Sequence, residues 1–142
     1  MVTAFVSGFI SSIGLSILFN IRRKHMLWAA VGGGMATLTY RLLLDRAGGA
    51  LIAVFLASLV VGFYSEVMAI LQKAPATTYV IPGILPLVPG AGMYYTMLFL
   101  TDGELSLAAY HGYQTVFTAL AIASGIIIAP SIRRLYHQQK GA

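Results

Sequence analysis

The sequence predicts an all-α fold, namely a polytopic membrane protein with about five transmembrane helices, the fourth broken by prolines. Two features of the composition indicate this: apolar residues make up 58% of the 142 residues, whereas charged residues make up only 9%. Typical globular proteins have roughly 25% charged residues, so too few charges remain to cover a surface in contact with water. We therefore expect a single transmembrane domain over residues 1–142, with lipid as the solvent for much of it.

Five apolar runs follow one another along the chain. A helix that spans a bilayer needs about 20 mostly apolar residues. Runs of about that length occupy residues 2–21, 26–44, 50–71, 77–100 and 105–132. The linkers between them are short, which favours antiparallel neighbours that pack together. If the fourth run is re-entrant, the number of spans falls to four.

The basic residues predict an orientation. Seven of the nine lie after the first run, after the third run or in the tail: Arg22, Arg23, Lys24, Lys73, Arg133, Arg134 and Lys140. On the opposite side, Arg46 is the only basic residue in the linkers. Since basic residues accumulate in cytoplasmic loops, we expect the C-terminus in the cytoplasm and the N-terminus outside. A nucleic-acid-binding protein would instead cluster its basic residues on one face, so no nucleic-acid partner is expected.

Signatures of catalysis and of bound cofactors are missing from the sequence. It has no cysteine, and it contains no P-loop, nucleophile elbow or zinc-protease motif. His111 has no second metal ligand at a useful spacing, whereas a zinc site needs three or four ligands. We therefore predict that the chain is not an enzyme and binds no metal or other cofactor.

The fourth run contains the most unusual segment. Pro82, Pro86 and Pro89 lie within eight residues, and Gly83 and Gly90 follow two of them. Proline lacks a backbone donor and clashes with the preceding turn, so a regular helix is not expected here. Irregular backbone at membrane depth lies against protein or lines a cavity, and broken helices form substrate sites in transporters. We predict that this proline segment, residues 82–92, is part of a substrate path. The alternative is a kinked helix that merely packs well.

Polar groups at membrane depth supply the other candidates for the path. Glu66 lies within the third run and Arg41 near the end of the second. Such charges usually face a partner or a water-filled path, although both are close enough to an interface to anchor their helices there. His111 and Gln114 lie side by side on the fifth helix, where they line the path or pair within the bundle. Tyr94 follows the proline segment, and its hydroxyl contacts a ligand or belongs to an aromatic belt.

Small and polar residues recur at a spacing of four on three helices. The stripes are Gly8, Ser12, Ser16 and Asn20, then Gly33, Thr37 and Arg41, then Ser58, Gly62 and Glu66. In the fifth run, Thr115 and Thr118 share a face with His111. Residues four apart share a helix face, and small residues allow membrane helices to approach closely. The stripes therefore predict tight contacts between helices.

The proline segment resembles the threonine/serine exporter (ThrE) family, and most closely its small YjjB-type membrane subunit. The similarity lies in Ile81-Pro-Gly-Ile-Leu-Pro86-Leu-Val-Pro89-Gly90 with Tyr94 after it and Lys73-Ala-Pro75 before it, and in length and helix count it extends over nearly the whole chain. The resemblance implies a subunit of a secondary exporter in the bacterial inner membrane. The implied substrates are small carboxylate-bearing metabolites, either threonine and serine or a succinate-like dicarboxylate. Because full-length members resemble two fused modules, it also implies a YjjP-like partner in a hetero-oligomer with multiple copies.

Two other functions remain open from the sequence alone. The small-residue stripes also suit a structural or assembly subunit that holds a partner in place. A passive channel is a third interpretation, which export against a gradient of substrate excludes.

Overall fold

In the computed structural model, the described residues are 1–44, 46 and 48–140, with side chains up to Ser131. The side chains of Arg133, Arg134 and Lys140, in the predicted cytoplasmic tail, lie outside that part. Every regular element within it is helical: α1 (Val2–Leu18), α2 (Arg23–Leu44), α3 (Ala50–Gln72), α4 (Thr77–Ile84), a 3-10 turn (Leu85–Leu87), α5 (Gly90–Thr101) and α6 (Leu105–Lys140). The predicted all-α class is confirmed.

Judged by helix length and hydropathy, the structure has fewer candidate membrane spans than the sequence predicts. Helix α3 and the Leu105–Ser131 part of α6 are long and apolar enough to cross a bilayer, and the bent pair of Thr77–Leu87 with Gly90–Thr101 adds a third candidate. Helix α1 is apolar but has only 17 residues, and α2 begins in the basic cluster at Arg23. The structure thus gives two to three candidate spans, and the count of about five stays a prediction.

Helices α1 and α2 pack through the predicted small residues. Gly8, Ser12 and Ser16 are all buried on α1. A methyl group at Gly33 would overlap the hydroxyl of Ser12, and one at Gly8 would overlap the side chain of Thr37. The two helices therefore approach as closely as their backbones allow, and the prediction of a tight contact is confirmed.

Helices α3 and α6 meet in the same way. A methyl group at Gly125 would overlap the hydroxyl of Ser58, and one at Gly62 would lie 2.8 Å from the Cβ atom of Ala129. Helix α3 also contacts α2 and α4, whereas α5 packs mainly against α6. The main hydrophobic cluster lies among α2, α3, the 3-10 turn and α6, with Ile122 as the contribution of α6, and α5 joins it through α6.

The proline segment contains a bend, but Pro82 does not end a helix. Pro82 lies inside α4, which corrects the expectation that regular helix is absent around all three prolines. Pro82 is the sixth of the eight residues of this short helix, so its missing N–H removes one hydrogen bond from the last turn of α4. The interruption comes later, at Val88, whose backbone is extended (φ −62°, ψ 132°). There the chain turns by 51° between the two halves of the pair.

Candidate functional site: a polar cleft beside the proline segment

A cleft of about 420 Å³ lies between the bend and the α5–α6 hairpin. Its polar lining comes from α2, α5 and α6 and consists of Thr37, Tyr40, Tyr95, His111, Gln114, Thr115 and Thr118. Pro86, Leu87 and Pro89 form the wall on the side of the bend, while Ala50 and Val54 contribute from α3. The fold therefore brings together the proline segment and the His111–Gln114 face, which lie more than 20 residues apart in the sequence.

Aromatic rings surround His111 in this cleft. The ring of Phe99 stacks on the imidazole with centroids 5.3 Å apart and planes inclined by 17°. Tyr95 lies 5.5 Å away, and the ring of Tyr110 meets the imidazole edge-on at 5.4 Å. Because the neighbouring rings hold the plane of the imidazole, its nitrogen atoms are presented in a defined direction. In the neutral form one of them donates and the other accepts a hydrogen bond.

The threonine hydroxyl groups of α6 donate hydrogen bonds to backbone carbonyls of the same helix. Thr115 donates to the carbonyl of His111 at 2.7 Å, and Thr118 donates to that of Gln114 at 2.8 Å. Their oxygen lone pairs remain acceptors. The amide of Gln114 donates one N–H to the hydroxyl of Tyr110 at 2.8 Å and has a second N–H. The cleft can thus accept from an ammonium or hydroxyl group and donate to a carboxylate.

The cleft has no permanently charged side chain. None of the residues that line it is Asp, Glu, Lys or Arg. In the described part of the chain, no group of three or more His, Cys, Asp or Glu side chains is placed to hold a metal ion. A small zwitterion or anion in this cleft would therefore be met by dipoles and by the imidazole.

A buried hydrogen bond ties α1 to the proline segment. Position 86 is a proline and cannot donate to the carbonyl of Pro82, the residue four positions earlier. The hydroxyl of Ser12 donates to that carbonyl at 2.7 Å, and this hydrogen bond is buried. The unpaired carbonyl that proline creates is therefore satisfied from the neighbouring helix.

The other predicted path residues do not line the cleft. Pro82 and Gly83 are buried in the core, where a methyl group at Gly83 would lie 2.9 Å from the side chain of Val61. Tyr94 is 63% exposed, and Gly90 is exposed as well. Neither residue lines the cleft, although both are close to it in sequence.

Neither of the two predicted charged residues lines the cleft, and the two lie on different helices. Glu66 is half-buried on α3 and is not among the residues that line the cleft. Arg41 is exposed and borders a different depression with Thr3 and Ser7 of α1. The cleft therefore unites only Pro86, Pro89, His111 and Gln114 of the predicted set.

Several residues that line the cleft were not among the predicted path residues. Thr115 and Thr118 share the face of His111, and Thr37 belongs to the stripe of Gly33, so helical spacing gave a signal for all three. No signal in the sequence distinguishes Tyr95 from Tyr94. Only the direction of α5 after the bend decides which of the two tyrosines borders the cleft.

Comparison with known proteins identifies relatives over most of the chain. The sequence model of the family described as "Threonine/Serine exporter, ThrE" matches residues 4–132. A "Probable threonine/serine exporter" of Mycobacterium tuberculosis is 26% identical over 124 residues, which cover 84% of this chain and 23% of that protein. An "Uncharacterized protein" of Haemophilus influenzae is 26% identical over 93 residues, which cover 66% of this chain and 31% of that protein. The matched region is thus less than a third of either relative.

No solved structure matches the chain. The match to the family model includes the small-residue helices, the proline segment and the cleft-lining part of α6. The resemblance carried by the proline segment is therefore confirmed, and the chain belongs to the threonine/serine exporter (ThrE) family.

Proposed function

We propose that the chain is a membrane subunit of a secondary exporter for small carboxylate-bearing metabolites, either threonine and serine or a succinate-like dicarboxylate. Family membership supports export and favours transport over catalysis. The observation that carries the proposal is the cleft, which joins the bend at Pro86 and Pro89 to His111 and Gln114. Polar groups that converge beside an interrupted helix are typical of substrate sites in transporters.

The proposed arrangement in the bacterial inner membrane has five crossings. They are α1, α2, α3, the bent pair of α4 and α5 counted as one, and α6. Short linkers between successive helices support this count, since each reverses the direction of the chain. The basic linkers put the N-terminus outside and the C-terminus in the cytoplasm. The cleft then lies in the outer half, because Tyr40 lies near the end of α2, which stops at Leu44, and Ala50 begins α3 on that side.

The prolines are proposed to cause the bend. Pro86 removes the donor that would continue the helix from Pro82. Pro89 drives the preceding residue out of the helical region, and Val88 is indeed extended. The bend leaves a new helix N-terminus at Gly90 beside the cleft, with Ala91 and Gly92 of the first turn among its lining residues.

The substrate carboxylate is proposed to lie against the first turn of α5. Open backbone N–H groups and the helix dipole both favour an anion at that place. His111 and the second N–H of Gln114 can donate from the opposite wall. The hydroxyl oxygens of Thr115 and Thr118 then accept from the substrate's ammonium or hydroxyl group.

Glu66 is retained as a proposed contact for a proton or ammonium group, and Arg41 as a weaker carboxylate contact. Neither lines the cleft, so both belong to other parts of the proposed path. Replacing Glu66 with glutamine should reduce export while the protein stays in the membrane. Unchanged export by Glu66→Gln would remove that residue from the mechanism.

The partner is proposed to be a YjjP-like membrane subunit, in a hetero-oligomer with multiple copies. The short coverage of the relatives supports this, because the matched region is 23% of the mycobacterial protein. Helix α5 also has no buried residue, so most of its surface is left for lipid or for another subunit.

The test is co-expression with the YjjP-like protein, followed by export assays on serine, threonine and succinate. Gln114→Leu should lower export with the complex intact, because it removes a donor from the cleft. Ala119→Leu, at an exposed position of the same helix, is the matched control. Loss of the complex in Gln114→Leu would favour an assembly subunit, and failure to export against a gradient would favour a passive channel.

A further inference from the structure

A second pocket of about 390 Å³ lies at the opposite end of α4 from the cleft. It is formed by the turn between α1 and α2 and the turn between α3 and α4. Its polar residues are Asn20, Arg22, His25, Lys73 and Thr78. Arg22 and Lys73 bring positive charge to the pocket, whereas none of the residues that line it is acidic. The pocket therefore has the opposite character to the cleft, which has no Lys or Arg.

The backbone shapes this pocket at both turns. Asn20 (φ 54°) and Lys73 (φ 50°) adopt left-handed conformations, and among the described residues they are the ones other than glycine to do so. Such conformations end helices and are usually taken by glycine. Both turns thus redirect the chain sharply where the pocket forms.

Helix α4 connects the two cavities. Thr78, at its start, lines the basic pocket, while Pro86, beyond its end, lines the cleft. The separation of eight residues corresponds to about 12 Å along a helix. Between them, Tyr79 and Pro82 are fully buried, so the helix fills the space between the cavities.

A contact between α4 and α2 lies beside the basic pocket. The hydroxyl of Tyr79 and Nδ1 of His25 are joined by a hydrogen bond of 2.6 Å, and their rings meet edge-on at 5.7 Å. His25 itself lines the pocket. An occupant of the pocket would thus lie directly beside the residue that holds α4 in place.

We propose that this basic pocket binds the carboxylate of the exported metabolite on its way to α4. The inference rests on the proposed export function and on the proposed orientation, which puts the pocket on the cytoplasmic side. Arginine pairs with carboxylates through two parallel hydrogen bonds, and lysine adds a point charge. The volume falls within the range of small-molecule sites, which is about 300–1,000 Å³.

The phosphate of a lipid headgroup shares this anionic chemistry and must be distinguished from a metabolite. The chain offers its own probe, because Trp28 is its single tryptophan and follows His25 by three residues, about one helical turn. The full chain would be placed in nanodiscs of phosphatidylcholine, and Trp28 fluorescence recorded during titration. The titrants are succinate, serine and threonine in one arm and glycerol phosphate, a headgroup analogue, in the other.

We expect carboxylates to change the fluorescence in the wild type. Arg22→Gln and Lys73→Gln should each weaken the apparent affinity by about tenfold or more, since each removes a charged hydrogen-bond donor. Arg23→Gln is the matched control, because it makes the same charge change at the next residue, which does not line the pocket. Circular dichroism of each variant confirms that it is folded.

Two results would overturn the inference. One is an equal affinity for carboxylates in Arg22→Gln, Lys73→Gln and Arg23→Gln. The other is a response confined to glycerol phosphate, which would assign the pocket to lipid. Export in co-expressing cells is scored separately. If the wild type exports the metabolite but the pocket variants bind it as the wild type does, only the pocket proposal is refuted. If the wild type does not export it, the proposed function is refuted.

Discussion

Helices α1 to α4 and helix α5 are packed in opposite ways. Around Ser12 and Pro82 the side chains are fully buried and the helices touch through glycine and serine. Helix α5 has no buried residue and packs mainly against one neighbour, α6. One close point of that contact is Gly92, where a methyl group would overlap the hydroxyl of Thr115.

This difference separates the part that fixes the fold from the part that borders the cleft. In lipid, membrane helices associate through close packing and hydrogen bonds, without a hydrophobic driving force between them. The α1–α4 region has both kinds of contact. Helix α5 makes its close contacts mainly with α6, through Gly92 and the rings beside His111, so the wall of the cleft that it forms is held from one side.

The largest expected effect comes from filling a close contact. In Gly33→Ala the new methyl group would meet Ser12 and would lie 3.0 Å from the carbonyl oxygen of Gly8. Such overpacking typically costs about 1–3 kcal/mol. Thermal unfolding in detergent should therefore show a clear loss of stability.

The matched control for that substitution is Gly14→Ala on α1, where nothing lies within 4 Å of the added methyl group. Because alanine favours helix over glycine, this variant should be as stable as the wild type or slightly more so. Equal losses in both variants would show that the tight contact does not limit stability.

The next effect tests the loosely packed side. Tyr95 lines the cleft and its ring lies beside His111, whereas Tyr94 is mostly exposed. Tyr95→Ala should lower the export rate by about tenfold, equivalent to about 1.4 kcal/mol, because it removes a wall of the site. Tyr94→Ala should export normally in the same co-expression assay. If Tyr94→Ala lowered export more than Tyr95→Ala, Tyr94 would belong to the substrate path and the cleft would not be the substrate site.

A smaller effect compares two buried serines. Ser12→Ala leaves the carbonyl of Pro82 without its donor, and we expect a loss of about 1 kcal/mol. The buried hydroxyl of Ser65 has no hydrogen-bond partner, so Ser65→Ala should leave stability unchanged or raise it. Detergent unfolding of the two variants side by side measures the difference. A larger loss in Ser65→Ala would contradict the assignment of the hydrogen bond.

The smallest effect is a coupling between Ser12 and Pro86. Pro86→Ala supplies a backbone N–H one helical turn after Pro82, which can satisfy the same carbonyl. The cost of Ser12→Ala should then shrink in the Pro86→Ala background, with a coupling of about 0.5–1 kcal/mol in a double-mutant cycle. Strictly additive losses would show that the hydroxyl of Ser12 does not act as a substitute donor.

The helical class and the tight contacts were predictable from the sequence because they depend on local patterns. Gly8, Ser12 and Ser16 share a face whatever the neighbour is, and small residues in lipid indicate a close neighbour. The bend was predictable in its region, yet its position after Leu87 depends on the backbone at Val88 and Pro89. Pro82 fits inside α4, which a count of prolines does not reveal.

The cleft was predictable only in part. His111 and Gln114 stand out because polar groups are costly in lipid, but their meeting with Pro86 depends on how the hairpin of α5 and α6 folds back. The choice of Tyr95 over Tyr94 depends on the direction of α5 after the bend. Glu66 stands out through its charge within an apolar run and its place in the stripe of Ser58 and Gly62, and neither says which cavity a residue borders.

The bond from Ser12 to the carbonyl of Pro82 has an evolutionary consequence. The hydroxyl at position 12 compensates for the donor that the proline at position 86 lacks, so we expect selection to act on the two positions together although they lie 74 positions apart. Homologues that lose the proline are expected to be free to lose the serine, and those that keep it to retain serine or threonine. Paired substitution at these two positions would be a record of that dependence in the history of the family.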